Sequence, residues 1–434
     1  MRKILVVMTT LLTLLLVFAP IHALAQTGED QGILLRSESA VLMDADSGQI
    51  LFAKDMQRIM YPASITKVVT AMLALQLAEP QDIITMSREA VFSIGRDTSH
   101  IALDIGEQIT MEQALYAMAI ASANDAANGI AEKISGTTAA FAELMNQAAR
   151  EAGAQNTHFT NPHGLPDDDH VTTAVDMAKI AAAALKVPGF VEIFGSHYYE
   201  IPPTNEQPET RYLSSRNQLI NGEKNCEGIL FSKTGWTSKA EGTLVSAACR
   251  EGVTLIAVVL KSATAEDKWL DTQMLFAYGF DQFSPATITK TDLVQKNVSV
   301  STDDGDTVKI DFFADHDAKF LLPNDKSVND VTVICGRPAA GPVKGRVSLN
   351  ARLTLKGSDP ADETGTLADM VLTGHLPAPE PTTVPSSQMQ DQAEMPANRN
   401  RWLVVLPILI LIGALGLLAR DILKRRRHKA ARQD

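Results

Sequence analysis

The chain of 434 residues carries an apolar run near each end. The first run, residues 4–19, follows the basic start Arg2-Lys3 and precedes the small-residue pattern Ala23-Leu24-Ala25. A basic start, an apolar stretch and a small-residue cleavage pattern are typical of a secretory signal peptide, which we predict at residues 1–25. A buried core helix is the alternative, and this order of features disfavours it.

The second apolar run, residues 402–419, is about long enough to cross the hydrocarbon core of a bilayer. The tail that follows, residues 420–434, is basic, and basic residues favour the cytoplasmic side. We therefore predict one transmembrane helix at 402–419, a cytoplasmic tail and an exported bulk of the chain. An amphipathic surface helix is disfavoured because no polar face can be drawn through the run.

Between the ends, residues 30–283 alternate helical with strand-like patterns. Two strands are predicted around the turn Asp46-Ser47-Gly48, and the second of them ends at Lys54. Much later, the apolar stretches TLVSAAC and VTLIAVVLK flank a turn at residues 250–252. This is a strong hairpin pattern, and we expect it to supply central strands of a sheet.

Helices are predicted from a different periodicity. Residues 68–77 are apolar on every side, which suits a helix buried in the middle of a domain. Thr110 and Gln113 form a capping-box pattern ahead of a second helix. A third helical pattern ends at Gly153.

The pattern changes from about residue 292. Short alternating strands separated by Asp, Gly and Pro turns predict a small all-β domain at residues 292–376. Residues 377–400 are rich in Pro, Ser, Gln and Glu and predict an extended linker. The exported part is too long for one compact core, which supports the division into two domains.

Charge and cysteine content narrow the functional classes. The ends carry +2 and +5 of the total charge of −12, so the exported part is at about −19. A nucleic-acid partner is disfavoured, because it would require a basic face. Cys226, Cys249 and Cys335 are too few for a disulfide scaffold. A bridge between the first two is possible, and their spacing does not establish it.

Ser64 and Lys67 place a hydroxyl and an amine three residues apart at the predicted start of the buried helix. This spacing puts both side chains on one helix face within reach of each other, as a nucleophile and its base require. About one or two S-x-x-K matches are expected by chance in a chain of this length. Taken alone, the pair is more simply explained as polar residues at a helix start.

Lys233-Thr234-Gly235 occurs once, just before the strong hairpin. We place it on an exposed edge strand, where it offers a lysine, a hydroxyl and, at Trp236, a backbone N–H. Gly235 leaves room for a ligand to approach the backbone. The alternative is a solvated lysine beside a turn.

An S-x-N pattern is weaker evidence because the chain has several copies. They are Ser122/Asn124, Ser215/Asn217, Ser327/Asn329 and Ser348/Asn350. Only Ser122/Asn124 falls between two predicted helices and between the other two motifs. A loop between helices there can point two polar side chains into a cleft.

The order S-x-x-K, S-x-N, K-T-G is the signature of penicillin-binding proteins and serine β-lactamases. The longer stretches PASITKVVTAM, ASANDAANGIAE, SRNQLI and SKTGWTSKAEGTLVSAA resemble the low-molecular-weight penicillin-binding proteins, the serine D-alanyl-D-alanine carboxypeptidases. The resemblance covers residues 35–283 and extends more loosely over 292–376. It implies an α/β (α+β) transpeptidase fold, an antiparallel sheet with a helical cluster, followed by the small all-β domain and the transmembrane helix.

The resemblance also implies a mechanism. Ser64 would attack the carbonyl of the penultimate D-Ala of a peptidoglycan stem peptide, and Lys67 would accept its proton. Lys67 can do so only when neutral, and burial together with the like charge of Lys233 would lower its pKa. Ser122 would relay a proton to the departing D-Ala, and Asn124 would orient Lys67 and the substrate amide.

Substrate binding is implied by the same resemblance. Lys233 and Thr234, with Arg216, would meet the terminal carboxylate of the peptide. The backbone N–H of Trp236, beside Gly235, would help to hold the oxyanion. β-Lactams would act as covalent inhibitors, and no cofactor or metal is required. The enzyme would sit in a bacterial cell membrane with its catalytic domain on the extracytoplasmic side.

Two departures from the family pattern stand out. Ala123 replaces the more frequent Gly of S-G-N, and Trp236 follows K-T-G where smaller or more polar residues are common. The backbone N–H of Trp236 remains available, while substrate preference is left open.

Alternative functions and sites are also open at this stage. A serine β-lactamase shares the three motifs, and a catalytically silent envelope-binding scaffold would keep the cleft. The acidic cluster at residues 167–170 offers metal-ligand types, but a turn explains it better, and we expect no metal site there. His163 is more simply a loop histidine than a base.

Overall fold

The computed structural model describes residues 32–301, 306–340, 345–358 and 363–376. The predicted signal peptide, linker, transmembrane helix and basic tail lie outside these residues. Among the helices that are described, none is both long and apolar enough to cross a membrane.

The strands of the described part are named in chain order. They are β1 (Ser39–Asp44), β2 (Ile50–Lys54), β3 (Ile83–Thr85), β4 (Gln108–Thr110), β5 (Tyr198–Ile201), β6 (Arg211–Ser214), β7 (Ile229–Thr237), β8 (Glu241–Arg250), β9 (Val253–Ser262), β10 (Phe283–Ile288), β11 (Val294–Ser301), β12 (Thr307–Ala314), β13 (Ala318–Pro323), β14 (Val331–Cys335), β15 (Ala339–Ala340), β16 (Arg346–Leu355) and β17 (Thr366–His375).

The helices are named in the same way. They are α1 (Lys67–Leu77), α2 (Arg88–Phe92), α3 (Met111–Ile120), α4 (Asn124–Ser135), α5 (Thr138–Glu151), α6 (Ala174–Leu185), α7 (Phe190–Phe194) and α8 (Ala265–Gln282). Short 3-10 helices lie at Ala63–Thr66, Val328–Asp330 and Glu363–Gly365.

A five-stranded antiparallel sheet is the frame of the first region, with the strand order β2-β1-β9-β8-β7. The predicted hairpin forms β8 and β9, and both strands are flanked by neighbours. Their apolar runs are continuous rather than alternating because helices cover both faces of the sheet. The strand that carries K-T-G, β7, lies at the edge, as predicted.

The two faces of the sheet bury different helices. On one face a large core gathers the helical cluster around α1, whose residues from Lys67 to Ala74 are all buried. Burial on every side is why this part of the helix has no polar stripe, which confirms the prediction for residues 68–74, whereas Gln76 and Leu77 in the last turn are exposed. On the other face α8 packs through Trp269, Leu275 and Phe276.

The local helix signals are also confirmed. Thr110 caps α3 with the reciprocal hydrogen bonds of a capping box to Gln113. Helix α5 ends at Glu151, and Gly153 follows with a φ of +81°, a conformation that glycine adopts without strain.

The all-β prediction for the second region is confirmed by a six-stranded antiparallel sheet. Its order is β11-β12-β17-β16-β14, with β15 paired to β16. Along β12, buried and more exposed side chains alternate, so that Ile310, Phe312 and Ala314 face a separate core.

The two regions are joined directly. Strand β10 follows α8 at once and pairs with β13, so residues between the two predicted domains belong to a strand. The side chain of Gln49 donates to the Leu321 carbonyl and accepts from the Leu321 N–H, both at 2.8 Å. One buried amide thus ties β13 to the turn that precedes β2. Cys226, Cys249 and Cys335 are all unpaired.

Candidate active site

Ser64 lies in the 3-10 helix that runs into α1, and Lys67 is the first residue of α1. The three-residue spacing brings Ser64 Oγ and Lys67 Nζ to 3.0 Å. The residue before the serine, Ala63, has a φ of +52°, a left-handed conformation that is costly for a residue with a Cβ. The predicted contact between the two polar side chains is therefore present on a strained turn.

Gly164 explains how that turn is held. A Cβ on this residue would lie 1.9 Å from the carbonyl oxygen of Ala63 and 2.8 Å from Thr66 Oγ1. Only glycine allows the loop to pack this closely, and its φ of +87° favours glycine as well. The loop of residues 161–166 is thus a direct support of the Ser64 turn.

Lys67 is fully buried, and all its hydrogen-bond partners are neutral. Its amine lies 2.6 Å from Asn124 Oδ1 and 2.8 Å from the carbonyl oxygen of His163, in addition to Ser64. Burial lowers the pKa of Lys67 well below its ordinary value, and the charge of Lys233 lowers it further, against the opposing effect of Asp125.

Three partners can be satisfied by an ammonium or by a neutral amine, and burial is what favours the neutral form. An uncharged lysine has two N–H groups and one lone pair, and two carbonyl oxygens here accept the two N–H groups. The lone pair is then left to accept the hydroxyl hydrogen of Ser64. The geometry is that of a serine with its general base already in place.

Ser122 and Asn124 flank the short connection between α3 and α4. Ser122 has a φ of +55°, a second strained position at the site. Its Oγ accepts a hydrogen bond of 3.0 Å from Lys233 Nζ, which also donates to the Thr234 carbonyl at 2.8 Å. The first S-x-N copy and K-T-G therefore meet, as the sequence predicted.

Lys233 is buried too, and this lowers its pKa to about 7. The main cause is burial, and the second is the charge of Lys268 on α8. Lys268 is itself 7% exposed, and burial lowers its pKa. Lys268 was not predicted from the sequence, since a lone lysine on a helix carries no signal of this kind.

Gly235 allows the edge strand to reach Ser64. A Cβ at this position would lie 2.8 Å from the backbone nitrogen of Ser64 and 2.3 Å from Thr243 Oγ1. The next residue, Trp236, exposes 68% of its surface. The backbones of Ser64 and the K-T-G strand are thus adjacent at the place where the oxyanion site was predicted.

The exposed part of the site is one cleft of about 820 Å³, and the buried Lys67 and Asn124 are not among its lining residues. It contains Ser64, Ser122, K-T-G, Trp236, Arg216 and Lys268, together with residues of the loop 98–102 and of β6. No Asp or Glu lines this cleft in the described part of the chain. No carboxylate of the lining therefore competes with an anionic ligand for Lys233, Lys268 and Arg216.

The acidic cluster at residues 167–170 has other contacts. Asp168 pairs with Lys239 at the surface. His170 is buried, which lowers its pKa to about 3, and its Nε2 lies 2.9 Å from Thr66 Oγ1. In the ranges that the structure describes, no group of three or more His, Cys, Asp and Glu is arranged to hold a metal ion.

His163 contributes its backbone rather than its ring. Its carbonyl accepts from Lys67, while its Nδ1 accepts the backbone N–H of Leu165 at 3.2 Å. Burial is the largest cause of a pKa well below its usual range, with Lys67 and His170 adding to the effect. The ring is therefore neutral.

A buried ion pair that the sequence did not reveal joins two segments beside the cleft, β6 and residues 101–107. Arg211 on β6 donates to both carboxylate oxygens of Glu107, at 2.6 and 3.0 Å, and to the carbonyls of Ile101 and Ala102. Burial alone would raise the pKa of Glu107, but hydrogen bonds from Arg211, Asp104 and Thr204 outweigh it and hold the pKa below its ordinary value. We call this pair the rim latch.

The rim latch gives a prediction on stability. Arg211→Ala leaves the fully buried Glu107 carboxylate without its positively charged partner, so the free energy of unfolding should fall by about 3–5 kcal/mol. Lys224→Ala, which breaks the more exposed pair with Glu266, should cost about 1 kcal/mol or less. Urea denaturation of both variants measures the difference, and equal stabilities would contradict the role of the latch.

Comparison with known proteins identifies relatives of this arrangement. The Peptidase_S11 family model, described as D-alanyl-D-alanine carboxypeptidase, matches residues 25–264. D-alanyl-D-alanine carboxypeptidase DacF of Bacillus subtilis is 30% identical over 322 residues, which cover 73% of this chain and 81% of that protein. DacA of Haemophilus influenzae is 28% identical over 365 residues, or 81% and 90% of the two chains.

The fold has a solved counterpart. The crystal structure of penicillin binding protein 5 from Haemophilus influenzae matches with a TM-score of 0.62 and 26% identity, covering 79% of this chain and 98% of that one. The similarity thus extends through the helical cluster, the central sheet and the all-β region. Because the family model spans more than half of the chain, the protein belongs to the Peptidase S11 family of D-alanyl-D-alanine carboxypeptidases.

Proposed function

We propose that the protein is a serine DD-carboxypeptidase that releases the terminal D-Ala of peptidoglycan stem peptides through an acyl-enzyme intermediate on Ser64. The observation that carries this assignment is the buried Lys67 amine, bonded to two carbonyl oxygens and to Ser64. The family relationship supplies the substrate class, and the residue roles below are our proposal.

Acylation begins with the Ser64 hydroxyl. Its oxygen forms a bond to the carbonyl carbon of the penultimate D-Ala while its proton passes to Lys67. The backbone N–H groups of Ser64 and Trp236 hold the oxyanion. The bond from carbon to nitrogen then breaks, and Ser122 donates its proton to the departing amine and takes the proton held by Lys67, which is then neutral again.

Recognition of the leaving group depends on cations. Lys233, Thr234 and Arg216 bind the terminal carboxylate of the peptide. A carboxylate beside Lys233 favours its charged form and so draws a proton into the site. Asn124 holds Lys67 and meets the substrate amide.

Deacylation uses water. The oxygen of water bonds to the acyl carbon while its proton moves to Lys67, and the bond from that carbon to Ser64 Oγ breaks as Ser64 takes the proton from Lys67. The usual β-lactamase depends on a carboxylate to activate this water, and the described lining of the cleft has no Asp or Glu. That observation favours the carboxypeptidase over the β-lactamase. The intact contacts among all three motifs argue against a silent scaffold.

The nucleophile and its base are tested together. Wild type should release D-Ala from a peptide ending in Lys-D-Ala-D-Ala and form a lasting mass adduct with penicillin, whereas Ser64→Ala should do neither. Lys67→Met should slow acylation by about 10²–10⁴-fold, since the general base is lost.

Ser284→Ala, at an exposed serine on β10, is the matched control and should behave as wild type. Release of D-Ala by Ser64→Ala would rule out the assigned nucleophile. Rapid turnover of penicillin without an adduct would favour the β-lactamase.

The pH profile tests the lysine cluster. The charged form of Lys233 binds the substrate carboxylate, so kcat/KM should fall as the pH rises through its pKa of about 7. Lys268→Met removes a positive charge that lowers this pKa, so the alkaline limb should move to higher pH. Lys224→Met, outside the cleft, should leave the limb in place, and an unmoved limb in Lys268→Met would contradict the coupling.

We also propose that the protein is exported and held in the bacterial membrane by residues 402–419, with the catalytic region outside. The apolar run and its basic flank support this topology. In fractionated bacteria the full chain should remain with the membranes after a salt wash, and a chain ending at residue 376 should not. Recovery of the full chain as a soluble protein would overturn the anchor.

A further inference from the structure

The β5–β6 hairpin presents two tyrosines to solvent beside the cleft. Tyr198 is 44% exposed and Tyr212 is 67% exposed. In the antiparallel register Tyr198 pairs with Ser214, and Tyr212 pairs with Glu200. Alternation along a strand places these four side chains on one face, which we call the hairpin face.

The opposite face of the hairpin is firmly packed. Tyr199 stacks on Tyr116 with ring centroids 4.0 Å apart and an interplanar angle of 9°. Ile201 is fully buried and Leu213 nearly so. The rim latch at Arg211 fixes the end of β6. The hairpin face is therefore a rigid platform, and neither of its tyrosines is needed to fill the core.

The polar groups of the hairpin face are also fixed. The Tyr198 hydroxyl donates to Glu200 Oε1 at 2.6 Å. This hydrogen bond raises the pKa of Tyr198 to about 12, so the ring stays a neutral phenol. Glu200 keeps its second carboxylate oxygen as an acceptor. Exposed rings next to an ordered acceptor match a sugar, which has apolar C–H faces and a rim of hydroxyl donors.

The hairpin face is continuous with the catalytic cleft. Tyr212 and Ser214 line the cleft together with Ser64. In peptidoglycan the stem peptide is attached to an N-acetylated sugar, and four residues separate that sugar from the scissile bond. At about 3.3–3.6 Å per residue they span roughly 14 Å, so a sugar stays close to any peptide bound at Ser64.

We propose that the hairpin face is a sugar-binding subsite for the glycan strand that carries the stem peptide. This inference rests on the proposed function, because the substrate brings the sugar to the cleft. The rings of Tyr198 and Tyr212 stack on the sugar, and Glu200 accepts its hydroxyl groups. The sugars involved are N-acetylated and neutral, so they need no counter-charge from the protein. This suits the hairpin face, whose one formal charge, on Glu200, is already hydrogen-bonded to the Tyr198 hydroxyl.

The test compares two substrates on the full chain. One is a free pentapeptide ending in D-Ala-D-Ala, and the other is the same peptide attached to its disaccharide. Wild type should show a kcat/KM about tenfold higher for the disaccharide form, the magnitude expected for ring stacking. Tyr212→Ala and Tyr198→Ala should bring the ratio of the two values close to one.

Control variants show whether the ratio of kcat/KM values depends on the aromatic ring at Tyr212 rather than on any loss of an exposed side chain. Tyr212→Phe keeps the stacking surface and should retain most of the ratio. Phe313→Ala removes an exposed ring in the all-β region and should leave the ratio as in wild type. All these positions are exposed, so folding should not be affected.

The outcomes distinguish a failure of the sugar subsite from a failure of the proposed function. D-Ala release from both substrates with a wild-type ratio near one, or with a ratio that the tyrosine variants do not change, overturns the sugar subsite alone. Absence of release from both substrates by wild type overturns the proposed function and this subsite with it.

Discussion

The burial of the Lys67 amine among neutral partners is the interaction on which the rest of the site depends. A buried ammonium is costly unless a carboxylate compensates it, and Lys67 contacts only a hydroxyl and two carbonyl oxygens. The nearby carboxylate of Asp125 is engaged by the backbone N–H groups of Ile101, Leu103 and Ala126. Because the Lys67 amine is buried and no carboxylate contacts it, its charged form is disfavoured and its pKa is lowered.

Keeping these partners in place requires three segments to approach more closely than side chains normally permit. Gly164 lies against the Ser64 turn from one side, and Gly235 lies against it from the other. The positive φ values of Ala63 and Ser122 add local strain at the reacting residues. The buried helix α1 and the central sheet supply the rigid frame that maintains this strain.

Secondary-structure elements and motifs could be predicted where their signal lies within a few neighbouring residues of the sequence. The apolar run of α1, the capping box at Thr110 and the hairpin of β8 and β9 each show their periodicity or their caps in a few residues. Conversely, the bond from Lys67 to the His163 carbonyl could not be predicted, because every residue has a backbone carbonyl and no residue type marks this one. The Glu107–Arg211 pair spans 104 residues of sequence, and Lys268 looks like any lysine on a helix. Such contacts arise only when distant segments pack together.

The most direct test of the account is the titration of Lys67 by NMR in the folded protein, with isotope-labelled lysine and assignment through Lys67→Met. Our account predicts that the Lys67 amine is already neutral at a pH where surface lysines remain charged. Titration of Lys67 together with those lysines, near their ordinary pKa of about 10.4, would contradict it.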